Sequence, residues 1–242
     1  MRKFGLIGKT LGHSFSPQYF TNKFEKENIA ATYEAFELAS IDQFETLIRQ
    51  HDFAGLNVTI PYKTAVIPYL DELDDTAAAI QAVNTIAFEN GKLKGYNTDI
   101  IGFKNSIKPF LEHGQERALI LGTGGASKAV AYVLQQLGIT VFYLSRTPQA
   151  ENEFAYADCN DNMINSCKII VNTTPLGTFP KVDQKPDIPY TSITENHLCY
   201  DLIYNPEQTQ FLKLAKAQGA TVVNGWSMLK IQAEAAWGIW EK

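Results

Sequence analysis

Lys63 and Asp99 are two side chains in this sequence whose chemistry would allow them to move a proton. Lys63 closes the segment GLNVTIPYK, where Asn57 and Thr59 interrupt an otherwise apolar run and Pro61 stops the strand and launches a helix. Asp99 lies in GYNTDIIG directly after Asn97 and Thr98, and Asn84 lies in the segment AVNT. Each segment reads as a strand-to-helix junction, and in an open α/β sheet ligands gather outside the carboxyl ends of the strands. A lysine in such a crevice, partly desolvated or set beside another charge, becomes a usable general acid or base. Reduction of a ketone by hydride needs a proton for the developing alkoxide, which a lysine and a carboxylate converging on one oxygen would supply without a metal. Taken alone, Lys63 is more ordinarily a surface lysine, and Thr98 or Asp99 a helix cap.

A second group of residues has the chemistry of anion binding. ALILGTGGASKAVAYVLQQLG joins an apolar strand to an amphipathic helix through Gly122, Gly124 and Gly125. That is the context of a dinucleotide fingerprint: one glycine permits the tight turn, another lets pyrophosphate approach the backbone, and the helix N-terminus offers unpaired N–H donors. Ser127 stands at the third glycine position, and a βα turn that merely needs glycines is the alternative. Where an NAD-preferring site would offer an acid to the ribose, the sequence has Ser145-Arg146-Thr147. Arginine there suits a 2′-phosphate and hence NADP, although Pro148, Gln149 and Ala150 follow without a second base, and a solvated arginine is the other reading. In GHSFSP, Ser14 and Ser16 stand just after a strand and just before a helix whose first position is Pro17. They can cap it, hold a carboxylate, or divide the two tasks. Gln232 sits between Ile231 and Ala233 in an apolar C-terminal helix, where it can simply face solvent.

These positions require a scaffold of alternating strands and helices. FGLIG, a helix from Pro17 to Asn28, TYEAFEL, a helix from Ile41 to His51 and GLNVTI read as successive βα units. Helical stretches at Tyr62 to Leu73 and Asp75 to Val83 follow, then a hairpin turning at Asn90-Gly91. A second series runs from ALILG through TVFYLSR, KIIVNTT, LCYDLIY, the helix FLKLAKAQG and TVVNG. The helix Trp226 to Trp240 is apolar enough to pack back on the first domain. Thr147 to Ser166 is the least ordered-looking stretch. The expectation is two α/β domains with a cleft between them, residues 1–101 plus 226–242 with a mainly parallel sheet and residues 102–225 as a Rossmann-like unit.

Of 242 residues, 45% are apolar, enough for a sizeable core, and 21 basic against 26 acidic residues give a scattered net charge of −5. No nucleic-acid partner is expected from that balance, and no membrane partner, since no apolar run approaches the roughly 20 residues of a span. With no signal-peptide pattern the chain reads as cytoplasmic. Cys159, Cys167 and Cys199 read as free thiols, and the four histidines, His13, His51, His113 and His197, form no metal motif, so no metal is expected.

Taken together, the segments resemble the shikimate dehydrogenase family over nearly the whole chain. The resemblance rests on Ser14-Phe15-Ser16, NVTIPYK from Asn57, AVNT around Asn84, NTDIIG from Asn97, GTGGAS from Gly122, NTTPLG from Asn172, DLIYNP from Asp201, and Asn224-Gly225 followed by Met228-Leu229 and Gln232. It implies a substrate-binding domain and an NADP-binding domain that together reduce 3-dehydroshikimate reversibly to shikimate, in aromatic amino-acid biosynthesis. By that resemblance Lys63 exchanges the proton with the reacting oxygen, while Asp99 orients the lysine and tunes its charge. Ser14 and Ser16 hold the substrate carboxylate beside Tyr204, and Asn57, Thr59, Asn84, Asp99 and Gln232 hold ring hydroxyls. Gly122, Gly124, Gly125 and Ala126 receive the pyrophosphate, Ser145, Arg146 and Thr147 the adenosine phosphate, and Gly225 lies near the nicotinamide.

The sequence departs from the family pattern in three respects. Ser145 replaces a common Asn and Ala150 a second arginine, which bears on NADP selection. NGWSM replaces NGLGM, placing bulky Trp226 at the cofactor entrance, and the chain is short for the family. The alternatives are a relative that also oxidises quinate or uses NAD, a tetrahydrofolate-linked dehydrogenase of similar build, and a non-catalytic NADP-binding sensor on the same fold. The expected partner is a small-molecule substrate, with the chain a monomer or homodimer.

Overall fold

The computed structural model describes residues 1–12 and 14–242, so His13 lies outside the described residues. The chain forms two compact units, Met1–Thr98 with Ala233–Lys242, and Asp99–Gln232. The first contains β1 (Arg2–Gly8), β2 (Ala31–Glu37), β3 (Phe53–Val58), β4 (Glu72–Leu73), β5 (Thr85–Glu89) and β6 (Lys92–Tyr96), ordered β2-β1-β3-β5-β6-β4. β1 pairs in parallel with β2 and β3, while β5 runs antiparallel to β3 and β6. The hairpin between β5 and β6 turns at Asn90 (φ 52°) and Gly91 (φ 77°), the left-handed pair that matches strand twist.

Side chains alternate across this sheet, so each face has its own core. On one face Phe4 and Leu6 meet Phe20 and Phe24 of α1 (Phe15–Lys26) and Ala233, Ala236, Trp237 and Trp240 of the C-terminal helix. On the other, Ile7, Leu56, Val58 and Ile86 meet α2 (Phe44–Gln50), α3 (Tyr62–Ala65) and α4 (Asp75–Ile80) through Phe44, Leu47, Tyr62 and Ala77. Trp240 packs 4.9 Å from the Phe4 ring centroid and 5.5 Å from that of Phe20, and its indole N–H donates to the Ile86 carbonyl at 3.0 Å. The indole lies where a Cβ on residue 55 would stand, so Gly55 is required by close approach.

The second unit opens with α5 (Asp99–Ile107) and holds β7 (Arg117–Leu121), β8 (Thr140–Ser145), β9 (Glu153–Ala155), β10 (Ile169–Asn172), β11 (Leu198–Asp201) and β12 (Thr221–Val223). Their order is β12-β11-β10-β7-β8-β9, all parallel, a doubly wound sheet whose β7 neighbours both β8 and β10. α6 (Gly125–Gln136), α7 (Asp161–Ser166) and α8 (Gln210–Ala217) are its other helices, and α9 (Trp226–Trp240) is shared between the units. Two parallel-rich α/β units are the fold class expected from the sequence.

Two local expectations need correction. The helix expected over Tyr62 to Leu73 stops after α3, because Pro68 has no N–H to continue the ladder. Glu72 and Leu73 instead form β4 and pair with Lys94 and Gly95. The polar stretch Thr147 to Ser166 is ordered: β9 completes the sheet, and the Asn160 side chain caps α7 by accepting from the Met163 N–H at 3.1 Å. The two units divide at Thr98 and Gln232. A Cβ at Gly102 would stand 2.7 Å from the Met228 carbonyl and 3.0 Å from the Gln232 Cβ, and this close packing ties the first turns of α9 to α5.

Truncating Trp240 to Ala removes a large buried ring and its hydrogen bond. Urea unfolding followed by circular dichroism should show a loss of about 3–5 kcal/mol, and a loss below about 1 kcal/mol would show that the indole contributes little.

Candidate functional site

In the first unit, the carboxyl ends of β1, β3 and β6 and the start of β5 lie along one edge of the sheet, because β5 is the single strand reversed against its neighbours there. The polar residues singled out in the sequence occupy that edge. Ser14 is the N-cap position of α1, yet its hydroxyl makes no capping hydrogen bond among the described residues. Ser16 is buried in the first turn and hydrogen-bonds Tyr33. The Tyr33 hydroxyl donates to Asn57 Oδ1 at 2.7 Å, and Asn57 Nδ2 donates to the Asn84 carbonyl (3.2 Å) and to Thr85 Oγ1 (3.1 Å). Asn84 Nδ2 donates to Thr98 Oγ1 at 3.1 Å, while its Oδ1 accepts from the Thr98 N–H at 2.8 Å and from Thr85 Oγ1 at 3.0 Å.

Ser16, Asn57 and Asn84 are thus brought into one buried hydrogen-bonded array, with Thr98 adjoining Asp99 in the chain. Thr59 follows β3, its N–H donating to the Ile7 carbonyl at 2.9 Å. Lys63 is half-buried on α3, and its main-chain carbonyl accepts from the Val83 N–H at 2.7 Å, which anchors the short helix next to Asn84. Tyr33 is the member that sequence reasoning missed. An aromatic in a strand reads as core, and only its hydroxyl contacts show that it joins Ser16 to Asn57; burial raises its pKa above the ordinary phenol range.

In the second unit, Asp99 is buried at the first position of α5. The carboxyl ends of β7, β8, β10, β11 and β12 carry the remaining candidates. Gly122 has φ +99° and donates its N–H to the Leu144 carbonyl at 2.8 Å; a side chain there would be strained and would meet Thr174 Cγ2 at 3.0 Å. Gly124 is the N-cap of α6, and a Cβ on it would meet nothing within 4 Å, so the turn leaves open space above the helix start. Gly125 and Ala126 begin that 12-residue helix, whose first turn has neither an acidic residue nor a side-chain cap. Main-chain donors, the helix dipole and the open approach suit a pyrophosphate. Ser127 is buried and donates to the Gly124 carbonyl at 2.5 Å, so it takes the third glycine position without blocking helix-to-strand packing.

Ser145 is buried at the end of β8 and accepts from the Thr147 N–H at 3.2 Å, and Arg146 and Thr147 are exposed. Tyr204 lies 6.1 Å from the Trp226 ring centroid, and Lys230 stands over that ring at 5.4 Å. Gly225 donates to the Ile203 carbonyl at 3.0 Å, and a Cβ on it would collide with the Leu202 carbonyl, so only glycine fits. Gln232 is half-buried beside Gly102.

Sequence reading gave no role to Asp201, Asn172 or Thr209, although NTTPLG and DLIYNP were noted. Asp201 is fully buried, and burial pushes its carboxyl up to about 6, against hydrogen bonds from Thr209, the Ile203 N–H and Asn172. Burial likewise raises the Cys167 thiol to about 11 and the Cys199 thiol to about 12, so neither is an activated nucleophile. Among the described residues, no group of three or more His, Cys, Asp or Glu is placed to hold a metal, and no helix is long and apolar enough to cross a membrane.

A glycine turn entering a helix from the middle strands of a doubly wound parallel sheet places the second unit in the dinucleotide-binding class. Residues 102–179 match the D-isomer specific 2-hydroxyacid dehydrogenase NAD binding domain, and residues 6–86 match the shikimate dehydrogenase substrate binding domain. The shikimate dehydrogenase (NADP(+)) of Methanosphaera stadtmanae is 40% identical, over 97% of this chain and 89% of its own. The crystal structure of shikimate dehydrogenase from Aquifex aeolicus superposes with a TM-score of 0.89 at 36% identity, covering 99% of this chain and 92% of the other. The Thermus thermophilus enzyme, solved with NADP(H) and shikimate, gives 0.87 at 31% identity, covering 99% and 93%. The chain belongs to the shikimate dehydrogenase family.

The raised Asp201 carboxyl makes a pH-dependent contribution to stability. Between the unfolded value of 3.8 and about 6, the folded chain keeps a proton that the unfolded chain has released. The resulting stabilisation is complete below about pH 4 and is lost as pH rises through 6. D201N has no such titration, so its stability relative to wild type should rise by about 3 kcal/mol between pH 4 and 7. Parallel denaturant-unfolding profiles across that range would show that the carboxyl titrates normally.

Proposed function

We propose that this chain is an NADP-dependent shikimate dehydrogenase, reducing 3-dehydroshikimate reversibly to shikimate in the cytoplasmic route to chorismate and the aromatic amino acids. The observation that carries this reading is the buried array of Ser16, Tyr33, Asn57, Thr85, Asn84 and Thr98. Several hydroxyls and amides in fixed orientation along one sheet edge suit a small polyhydroxylated acid better than an apolar substrate. Bound NADP supplies the hydride acceptor for shikimate oxidation.

In this reading residues 1–101 and 226–242 serve the substrate and residues 102–225 the cofactor. Lys63 exchanges a proton with the reacting oxygen, and Asp99 is the carboxylate that orients Lys63 and tunes its charge. Ser14 and Ser16 hold the substrate carboxylate, and Asn57, Thr59 and Asn84 bind ring hydroxyls. Tyr204 is assigned to the carboxylate as well, and Gln232 to the ring hydroxyls. Gly122, Gly124, Gly125 and Ala126 receive the pyrophosphate, Ser145, Arg146 and Thr147 the adenosine phosphate, and Gly225 lies near the nicotinamide. A broader cofactor range is the second reading. Arg146 is exposed and Ala150 supplies no second charge, so one solvated cation carries the discrimination.

Initial rates at the nicotinamide absorbance band, with shikimate or quinate and NADP or NAD, test the reading. Shikimate with NADP should turn over fastest, and Arg146→Ala should weaken NADP far more than NAD; equal losses would assign Arg146 to the fold. Lys63→Ala should lower kcat by roughly 10²-fold or more with a much smaller change in KM. Near-full turnover would remove Lys63 from proton transfer.

A further inference from the structure

Asn172 and Asp201 are the final residues of β10 and β11 and lie side by side in register. Neither contacts solvent. Asp201 Oδ1 accepts from Asn172 Nδ2 and from the Ile203 N–H, both at 3.0 Å, and its Oδ2 accepts from Thr209 Oγ1 at 2.6 Å. Asn172 Oδ1 in turn accepts from the Thr174 N–H at 3.0 Å and the Thr174 hydroxyl at 2.7 Å.

Each end of this chain of bonds finishes on a cofactor-side turn. Thr173 and Thr174 fill the space beside Gly122, with Thr174 Cγ2 and Thr173 Oγ1 at 3.0 and 3.2 Å from where a Cβ would be, and the Thr173 hydroxyl donates to the Leu121 carbonyl at 2.8 Å. At the other end, the Ile203 carbonyl accepts from the Gly225 N–H at 3.0 Å, and the Leu202 carbonyl abuts Gly225. Tyr204 is the next residue. A carboxylate here has a fixed acceptor for each of three donors, whereas an amide would turn its N–H₂ toward one of them.

We propose that Asp201 is a positioning residue for dinucleotide binding, holding the Gly122 turn and the Leu202–Tyr204 turn at one spacing through Asn172 and the Ile203 main chain. The proposal rests on the NADP reading above and assigns it a control residue that touches neither cofactor nor substrate. Because the two turns are joined by hydrogen bonds through the ends of β10 and β11, loss of the acceptor lets them move independently, and the cost falls on cofactor affinity.

The test uses the full chain with NADP⁺ as the probe. In the wild type, NADP⁺ should slow amide hydrogen exchange at Thr174 and Ile203 together with the start of α6. D201N should bind NADP⁺ about tenfold or more weakly, with KM for NADP⁺ raised by a similar factor and kcat changed by less than about threefold. Thr209→Val should follow D201N, while Thr209→Ser, which keeps the hydroxyl, should stay within about twofold of wild type. Exchange slowed at α6 alone, or variants that melt earlier yet bind NADP⁺ as tightly as wild type, would make Asp201 an ordinary core contact and overturn the proposal. If D201N does not fold, the wild-type exchange and the Thr209 pair decide. A wild type that neither binds NADP⁺ nor turns over would instead remove the functional reading, and this inference with it.

Discussion

Both sheets end in polar side chains withdrawn from water, and the arrangement is stable only because these groups are hydrogen-bonded. An unmade hydrogen bond on such a group costs on the order of 1–3 kcal/mol, so the bonds dictate orientation as well as contributing stability. Asn84 illustrates the constraint. Its Nδ2 donates to Thr98, its Oδ1 accepts from the Thr98 N–H and from Thr85, and its carbonyl accepts from Val58 and Asn57. Rotating that amide would break its contacts to Thr85 on β5 and to Thr98, the residue before Asp99. Among the described residues, the Tyr156 hydroxyl is the one buried side-chain polar atom left without a partner.

Close approach is the second constraint, and it is met by glycine. Gly55 makes room for the Trp240 indole, Gly102 lets α5 and the start of α9 meet, and Gly225 lies against the Leu202 carbonyl. The aromatic cluster of Phe4, Phe20, Phe24, Trp237 and Trp240 then secures the end of α9 against the first sheet. Rigid elements with locked rotamers are what a site needs if its donors are to stay within fractions of an ångström of a productive geometry.

Electrostatics are divided unevenly between the two sheet edges. The first edge is built largely from neutral hydroxyls and amides with the half-buried Lys63 on α3, whereas the second relies on main-chain donors at the start of α6 and on Arg146. Fixed main-chain donors do not titrate and are not displaced by side-chain motion, which suits pyrophosphate. An exposed guanidinium such as that of Arg146 is, by contrast, screened by salt.

Local features were legible in the amino-acid sequence because neighbouring residues decide them. The Asn90-Gly91 turn, the passage from β7 through Gly122 into α6 and the polar residues at strand ends follow from backbone preferences and hydrophobic period. Family-wide spacing singled out Lys63 and Asp99, and structural relatives bear out the fold class. Tertiary structure decided what depends on partners distant in the chain. The Tyr33 hydroxyl joins Ser16 to Asn57, β4 and β9 form because β6 and β8 offer unpaired edges, and α9 changes unit within its length because Gly102 and Gly55 admit its two ends. Asp201 and Thr209 are eight positions apart in sequence, but the carboxylate also binds Asn172 from another strand, and only folding makes those three one unit. Periodicity records which face of an element is apolar; it does not record which buried hydroxyl meets which carboxylate, because that pairing is set by the stacking of elements and by the cost of leaving either group unpaired.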